Sequence, residues 1–333
     1  MVARIFHEED VDTSILSGKR IAVIGFGNQG SSHALNLRDG GMDVVVGNID
    51  DEYAKRANEQ GFSVRPIRDA ARYADIICML IPDEVQPRVY KQSVENELSP
   101  GKALMFASGF NVHFGFIKPP RFVDVVMEAP RMIGVGVREL FLKGLGCATL
   151  VAVHHDYTGN ARKIALAIAK AIGATRLGAF ESTFEEEAIL DLFSEQAFWS
   201  AFYELFKYWL EIATASGYDE LVAALELYCS GEMVEETKAI LETGVFRQMR
   251  FHSTTSQYGT ITRGKRLVTG EVKRNIRKIL REIETGRFAE EWMRTQRTGA
   301  RAFHEARENL LKHRINMVED QLADVRRQVS KVL

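Results

Sequence analysis

The chain has 333 residues, 46% hydrophobic and 26% charged, with a formal net charge of −2; this suits two ordinary globular domains and gives no pull toward nucleic acid or an anionic membrane. Its three scattered cysteines, Cys78, Cys147 and Cys229, form neither a close metal-ligand pair nor a disulfide framework, which favours a reducing compartment. The opening MVARIFHEEDVDTS has early acids and no apolar signal core, and no stretch approaches the ~18 apolar residues of a membrane span, so a cytoplasmic protein is expected.

Residues 19–48 read KRIAVIGFGNQGSSHALNLRDGGMDVVVGN. An apolar run meets Gly25-x-Gly27-x-x-Gly30, then a helical segment and a second apolar run: the βαβ unit of a dinucleotide fold. The backbone must turn sharply at Gly25 and approach a pyrophosphate at Gly27, while Gly30 lets helix and strand pack closely. The phosphates then meet free N–H groups at the helix start, which makes Gly25, Phe26, Gly27, Asn28, Gln29 and Gly30 the expected cofactor turn. The second strand ends in GNIDDEY. An acid about 20 residues past the glycines binds the adenosine ribose; Asp50 fits, next to Asn48, while Asp51 reads more readily as the start of a solvated helix. No Arg or Lys between Gly47 and Ala54 could partner a 2′-phosphate, so NADH is expected over NADPH.

Further α/β units follow. ADIICMLIPDEVQPRVY reads as a buried strand, a turn and a helix, and brings Pro82, Asp83 and Gln86 toward the cofactor. ALMFASGF, VDVVMEAP and ATLVAVHHD are short apolar runs suited to parallel strands. Residues 159–172 read as a helix, and ATRLGAFES closes the sheet near residue 182. His154 and His155 have no ligand-like spacing and read as structural. Beyond Thr183 the β pattern gives way to long helical periodicities. Ser182 and Glu185 fit a capping box at the first of them, and the charged final stretch reads as surface helices. The expected architecture is an α/β Rossmann domain over residues 1–182, followed by an all-α domain over 183–333.

In AILDLFSEQAFW, Asp191 and Glu195 lie four residues apart, hence on one helix face. Apolar neighbours surround them, and two such carboxylates repel each other and resist desolvation. Either a cation balances them or the turn is simply hydrated.

GKRIAVIGFGNQGSSHALNLRDGGMDVVVG, LIPDEVQPRVY, GFNVHFGFIKPPRFVDVVMEAP, ESTFEEEAILDLFSEQAF and GRFAEEW together resemble ketol-acid reductoisomerase, in order and spacing over nearly the whole chain and at the length of the family's short form. The resemblance implies a Rossmann domain, a knotted helical domain, and homodimers or higher assemblies whose sites draw on both chains. It implies Mg²⁺-assisted alkyl migration in 2-acetolactate-type acids, then NAD(P)H reduction of the resulting 2-keto acid, in branched-chain amino acid biosynthesis. Asp191 and Glu195 match the family's first metal-binding acids.

Other family positions differ. A second helix of the family carries a glutamate pair four residues apart; aligned through AILETG, this chain keeps Glu232 and has Tyr228 in place of the first. A one-turn slide would instead pair Glu232 with Glu236. Ser108 replaces a histidine in FASGFN, Arg131 a lysine and Val135 a histidine in APRMIGVG, and Ser253 is the nearest equivalent of a substrate-binding serine. A phenol with a pKa of about 10 supplies no negative charge at neutral pH, so one Mg²⁺ held by Asp191, Glu195 and Glu232 is expected rather than two. The catalytic set is Ser108 as hydrogen-bond donor, Arg131 polarising a substrate carboxylate or carbonyl, Glu232 and Ser253. The expected reaction is reduction of a 2-keto acid, ketol acid or imine without full alkyl migration. The alternatives are a working reductoisomerase and a silent nucleotide-binding paralogue. The expected partner is thus a small acid, with neither nucleic acid nor membrane.

Overall fold

The apolar runs of the first half form one sheet in the computed structural model, which describes residues 3–332; the domain limits placed at residues 1 and 333 lie outside the described residues. Its nine strands are β1 (Ile5–Phe6), β2 (Arg20–Ile24), β3 (Asp43–Gly47), β4 (Ser63–Arg65), β5 (Ile76–Met79), β6 (Ala103–Phe106), β7 (Asp124–Pro130), β8 (Thr149–His155) and β9 (Ala179–Glu181), in the order β1-β9-β8-β7-β6-β5-β2-β3-β4. From β4 through β7 all neighbours are parallel. Strands β5, β6 and β7 are buried along their whole length, because helices cover both faces; that is why they read as unbroken apolar runs. The strand order reverses around β2, which lies between β3 and β5, and in such sheets ligands bind at the carboxyl ends of the strands beside that point.

Two expectations need correction here. β8 pairs antiparallel with β7, not parallel, since a buried strand gives the same apolar run in either direction. The hydroxyl that caps the helix after β9 belongs to Thr183, which accepts the Glu186 N–H at 2.9 Å; Ser182 donates instead to the Glu186 carboxylate at 2.7 Å. The capping pair is therefore shifted one residue from Ser182–Glu185.

The helices that frame the sheet's ligand end are α1 (Asn28–Asp39), α2 (Glu52–Glu59), α3 (Ile67–Tyr73), α4 (Gln86–Val89), α5 (Phe110–His113), α6 (Gly134–Leu142), α7 (Ala161–Ala171) and α8 (Phe184–Phe193). One core layer holds Leu37 of α1 and Ile168 of α7, and the other holds Ala70 of α3 and Phe184 of α8.

The chain divides into two compact units at Asp191/Leu192. The second is helical. After a π-helical turn at Ser194–Trp199 come α9 (Ser200–Ala215), α10 (Glu220–Ala224), a second π-turn at Leu225–Cys229, α11 (Glu232–Thr243), α12 (Thr254–Leu267) and, among the described residues, five more helices. Its core gathers Leu210, Ala223, Ala224, Cys229 and Val318. Gly231, at φ +88°, breaks the chain between the second π-turn and α11. Tyr228 and Glu232 therefore do not stand one regular turn apart, as their spacing had implied; Ser230-Gly231 gives the left-handed stop that glycine tolerates. No described helix is long and apolar enough to cross a membrane.

Candidate functional site

A cleft of about 610 Å³ opens at the carboxyl ends of β2, β5 and β6. The expected Gly25, Phe26, Gly27, Asn28, Gln29, Asn48, Pro82, Asp83, Gln86 and Ser108 all line it. Gly25 has φ +95°, and a Cβ on Gly30 would stand 2.2 Å from the Gly25 carbonyl oxygen, so only glycine lets the turn fold back on α1. At Gly27, by contrast, an added Cβ meets nothing within 4 Å. That empty approach, beside the first-turn N–H groups of α1 that no helical carbonyl can satisfy, is what a pyrophosphate needs. The Gln29 side chain donates to the Met132 carbonyl at 2.8 Å, while its own Oε1 is buried without a partner. The residues fit a dinucleotide.

Asp50 is exposed and outside the cleft lining, whereas Asp51 lies in it. Asp51 accepts the N–H groups of Tyr53 and Ala54 at 2.9 and 3.0 Å and the Asn48 amide at 2.8 Å. One carboxylate thus caps α2 and borders the cleft, a double use that spacing could not assign between adjacent acids. Sequence reading missed two further cleft features. Arg88 contributes to the lining, and the buried Asn111 amide donates to the Asp83 carbonyl at 3.0 Å and to Gln86 Oε1 at 3.2 Å, fixing that turn. Ser108, just past β6, accepts the Phe110 N–H at 3.2 Å through its Oγ.

Arg131 follows β7 and is held by its backbone N–H, which donates to the Ala148 carbonyl at 2.9 Å. Its guanidinium is not in the cleft lining. It donates to Asp191 Oδ1 and to Glu187 Oε1, each at 2.9 Å, and to the Ala129 carbonyl at 3.2 Å. Glu187 is 1% exposed, and its other oxygen accepts the Gly109 N–H at 2.6 Å. Burial pushes the Glu187 carboxyl up, against the opposing pull of Gly109 and Arg131. The cation that makes the acidic face of α8 tolerable is therefore a protein side chain. Glu187 escaped the sequence reading although its signal was present: residues 187, 191 and 195 repeat every four positions.

The segment from Arg131 to Val135 is also tied to the glycine-rich turn. Ser32 donates to the Gly134 carbonyl at 2.6 Å, and the Val135 N–H to Asn28 Oδ1 at 3.0 Å.

In the second unit, Glu195 lies in the first π-turn and is exposed. The Tyr228 hydroxyl donates to Glu319 Oε1 at 2.5 Å; burial, then that carboxylate, push the phenol far above its ordinary value. Glu232 is the exposed first residue of α11, Glu236 faces His252 at 3.7 Å, and Ser253 caps α12 by accepting the Ser256 N–H at 3.2 Å. Within one chain, no three His, Cys, Asp or Glu side chains gather as a metal site among the described residues.

A family model described as acetohydroxy acid isomeroreductase, NADPH-binding domain, matches residues 15–178, and one described as ketol-acid reductoisomerase, C-terminal domain, matches residues 184–328. The chain is 41% identical over 335 aligned residues to a ketol-acid reductoisomerase (NADP(+)) of Clostridioides difficile, covering 100% of this chain and 99% of the relative. It is 40% identical to the protein of that name from Methanopyrus kandleri, covering 96% and 98%. An NADH-preferring ketol-acid reductoisomerase from an uncultured archean has the same fold, with a TM-score of 0.92 at 37% identity over 96% of this chain and 98% of that one.

Proposed function

The chain belongs to the ketol-acid reductoisomerase family, and from that premise we propose that it reduces a 2-keto acid of the branched-chain series with NADH, its alkyl-migration half being weakened. The observation that carries this is a contrast. The cofactor cleft keeps its glycine turn and its open approach at Gly27, while a guanidinium occupies Asp191 and a phenol turned to Glu319 stands at residue 228.

The dinucleotide supplies hydride when bound, and a divalent cation supplies charge stabilisation at the substrate oxygens. The chain's own residues do the rest. First-turn N–H groups of α1 bind the pyrophosphate, and the Asn111 clamp holds the Pro82–Gln86 turn against the cleft. Ser108 uses a lone pair for the Phe110 N–H, so its hydroxyl hydrogen is available to a substrate carbonyl. By the family resemblance, Asp191, Glu195 and Glu232, drawn from two copies of the chain, would be the hard oxygen donors for one Mg²⁺; a second ion would lack the carboxylate that Tyr228 replaces. Asp51 at the cleft, with Asp50 beside it, favours NADH, since a 2′-phosphate would meet negative charge there. The proposed assembly is a homodimer acting in the cytoplasm. Large apolar side chains of the second unit are exposed, Phe246 at 82% and Leu241 at 86% among them, as expected where a second copy covers part of that unit.

The test offers NADH and Mg²⁺ with 2-acetolactate, and separately with 3-hydroxy-3-methyl-2-oxobutanoate, in which the methyl group has already migrated. NADH oxidation with the second compound alone supports the proposal. Equal turnover of both supports the second reading, a complete reductoisomerase, which the 41% identity over the full length favours. Turnover of neither overturns both.

A further inference from the structure

We propose that Arg131 is a built-in cation for the acidic face of α8, and that its guanidinium competes with a divalent metal for Asp191. Three nitrogens of that guanidinium are committed to protein acceptors: the Ala129 carbonyl, Glu187 and Asp191. The planar fork spans two carboxylates four residues apart on one helix with a separate nitrogen for each, a geometry that suits the rigid guanidinium of arginine. The two arms differ in strength. Glu187 is 1% exposed and also holds the Gly109 N–H, so removing its cation leaves a buried charge unpaired. Asp191 is 45% exposed, so water can replace the guanidinium there at small cost.

When a metal arrives, only the Asp191 arm has to release. The Glu187 arm keeps Arg131 close by, and a cation that stays within a few ångströms repels the incoming ion. Two consequences follow. The metal-free protein keeps Glu187 and Asp191 of α8 paired with a cation, because these two acids do not wait for a metal. Metal affinity is lowered by the lost hydrogen bond and by the residual repulsion. The inference rests on the reading of Asp191 as a metal-binding acid, and goes beyond it in assigning a competitor.

The experiment measures Mn²⁺ binding to the metal-free full-length protein by electron paramagnetic resonance of the free ion, without substrate or turnover. Arg131→Gln removes the competing charge. The expected result is Mn²⁺ binding tighter by about tenfold, from the relieved repulsion of a nearby cation together with the exposed hydrogen bond that need no longer be broken, with Arg131→Lys between that variant and wild type. Arg131→Gln strands Glu187, so the double variant Arg131→Gln/Glu187→Gln is measured beside it and should show the same gain. Adding Asp191→Asn to the double variant should abolish the gain. Variants that bind Mn²⁺ no tighter than wild type overturn the proposal. A gain that survives Asp191→Asn also overturns it, together with the metal role of Asp191, but leaves NADH-dependent reduction untouched. Conversely, a gain that follows Asp191 in a protein that turns over neither acid sustains the competition and removes the proposed reaction alone.

Discussion

Gly134→Ala tests how the segment carrying Arg131 is anchored to the cofactor turn. A methyl group at residue 134 would stand 2.1 Å from the Asn28 carbonyl oxygen, 2.4 Å from its carbon and 2.8 Å from the Gln29 nitrogen. All three are backbone atoms, so no side-chain rotation relieves the clash. Ordinary contact begins at 3.4 Å, and in a close-packed interior the two backbones must part by about 1 Å. Three hydrogen bonds cross that boundary: Ser32 to the Gly134 carbonyl, the Val135 N–H to Asn28, and Gln29 to the Met132 carbonyl. At about 1 kcal/mol each, with overpacking costing about 1 kcal/mol or more, the loss is about 4 kcal/mol. The displacement falls on the first turn of α1, whose N–H groups are to hold the pyrophosphate, so NADH affinity should drop at least about tenfold. Urea unfolding and NADH fluorescence titration read the two effects separately. Stability within about 0.5 kcal/mol of wild type, together with unchanged NADH binding, would refute the close approach and the coupling built on it.

Gly27→Ala should behave in the opposite way. Its Cβ points into open space, so stability should fall by about 1 kcal/mol or less, the loss of a helix-capping glycine, while NADH binding weakens at least about tenfold; urea curves and NADH titrations that moved together would contradict this. Asp51→Ser keeps a capping oxygen for α2 and removes a charge from the cleft, so the ratio of kcat/KM for NADPH over NADH should rise by about tenfold. An unchanged ratio would remove Asp51 from the ribose. Glu187→Gln should change how stability depends on pH. Burial raises the Glu187 carboxyl above its unfolded value of 4.5, so the folded state holds that proton more tightly. This contribution favours folding below the unfolded value, and it is lost as pH rises through the folded value. The glutamine variant should therefore gain on wild type across that interval in urea midpoints taken from acid to neutral pH. A constant difference, or one of the opposite sign, would contradict the assignment.

The cofactor half was legible because its constraints are local. A glycine at φ +95° followed by one pressed against the turn's own carbonyl leaves a fixed spacing in the chain, and strands buried on both faces leave unbroken apolar runs. Strand direction left no such trace, so β8 was read with the wrong sense. The spacing rule put the ribose acid at Asp50 and read Asp51 as a solvated helix start, whereas Asp51 is the acid that lines the cleft, because cleft lining depends on how α2 begins. The spacing of Asp191 and Glu195 left a cation and a hydrated turn both open; the cation found at Asp191 comes from 56 residues upstream of Glu187 and depends on β7 delivering Arg131 to α8, which no periodicity encodes. The break at Gly231 was visible as a turn signal but hidden by an alignment that assumed an unbroken helix.

The central claim is that hydride delivery survives while alkyl migration is weakened. It is tested most directly by comparing kcat/KM for 3-hydroxy-3-methyl-2-oxobutanoate and for 2-acetolactate, with the same enzyme, NADH and Mg²⁺. A missing carboxylate and a competing guanidinium predict a ratio of about 100 or more in favour of the migrated keto acid, about 2.7 kcal/mol in barrier. A ratio near one, with 2,3-dihydroxy acid formed from 2-acetolactate, would contradict the account.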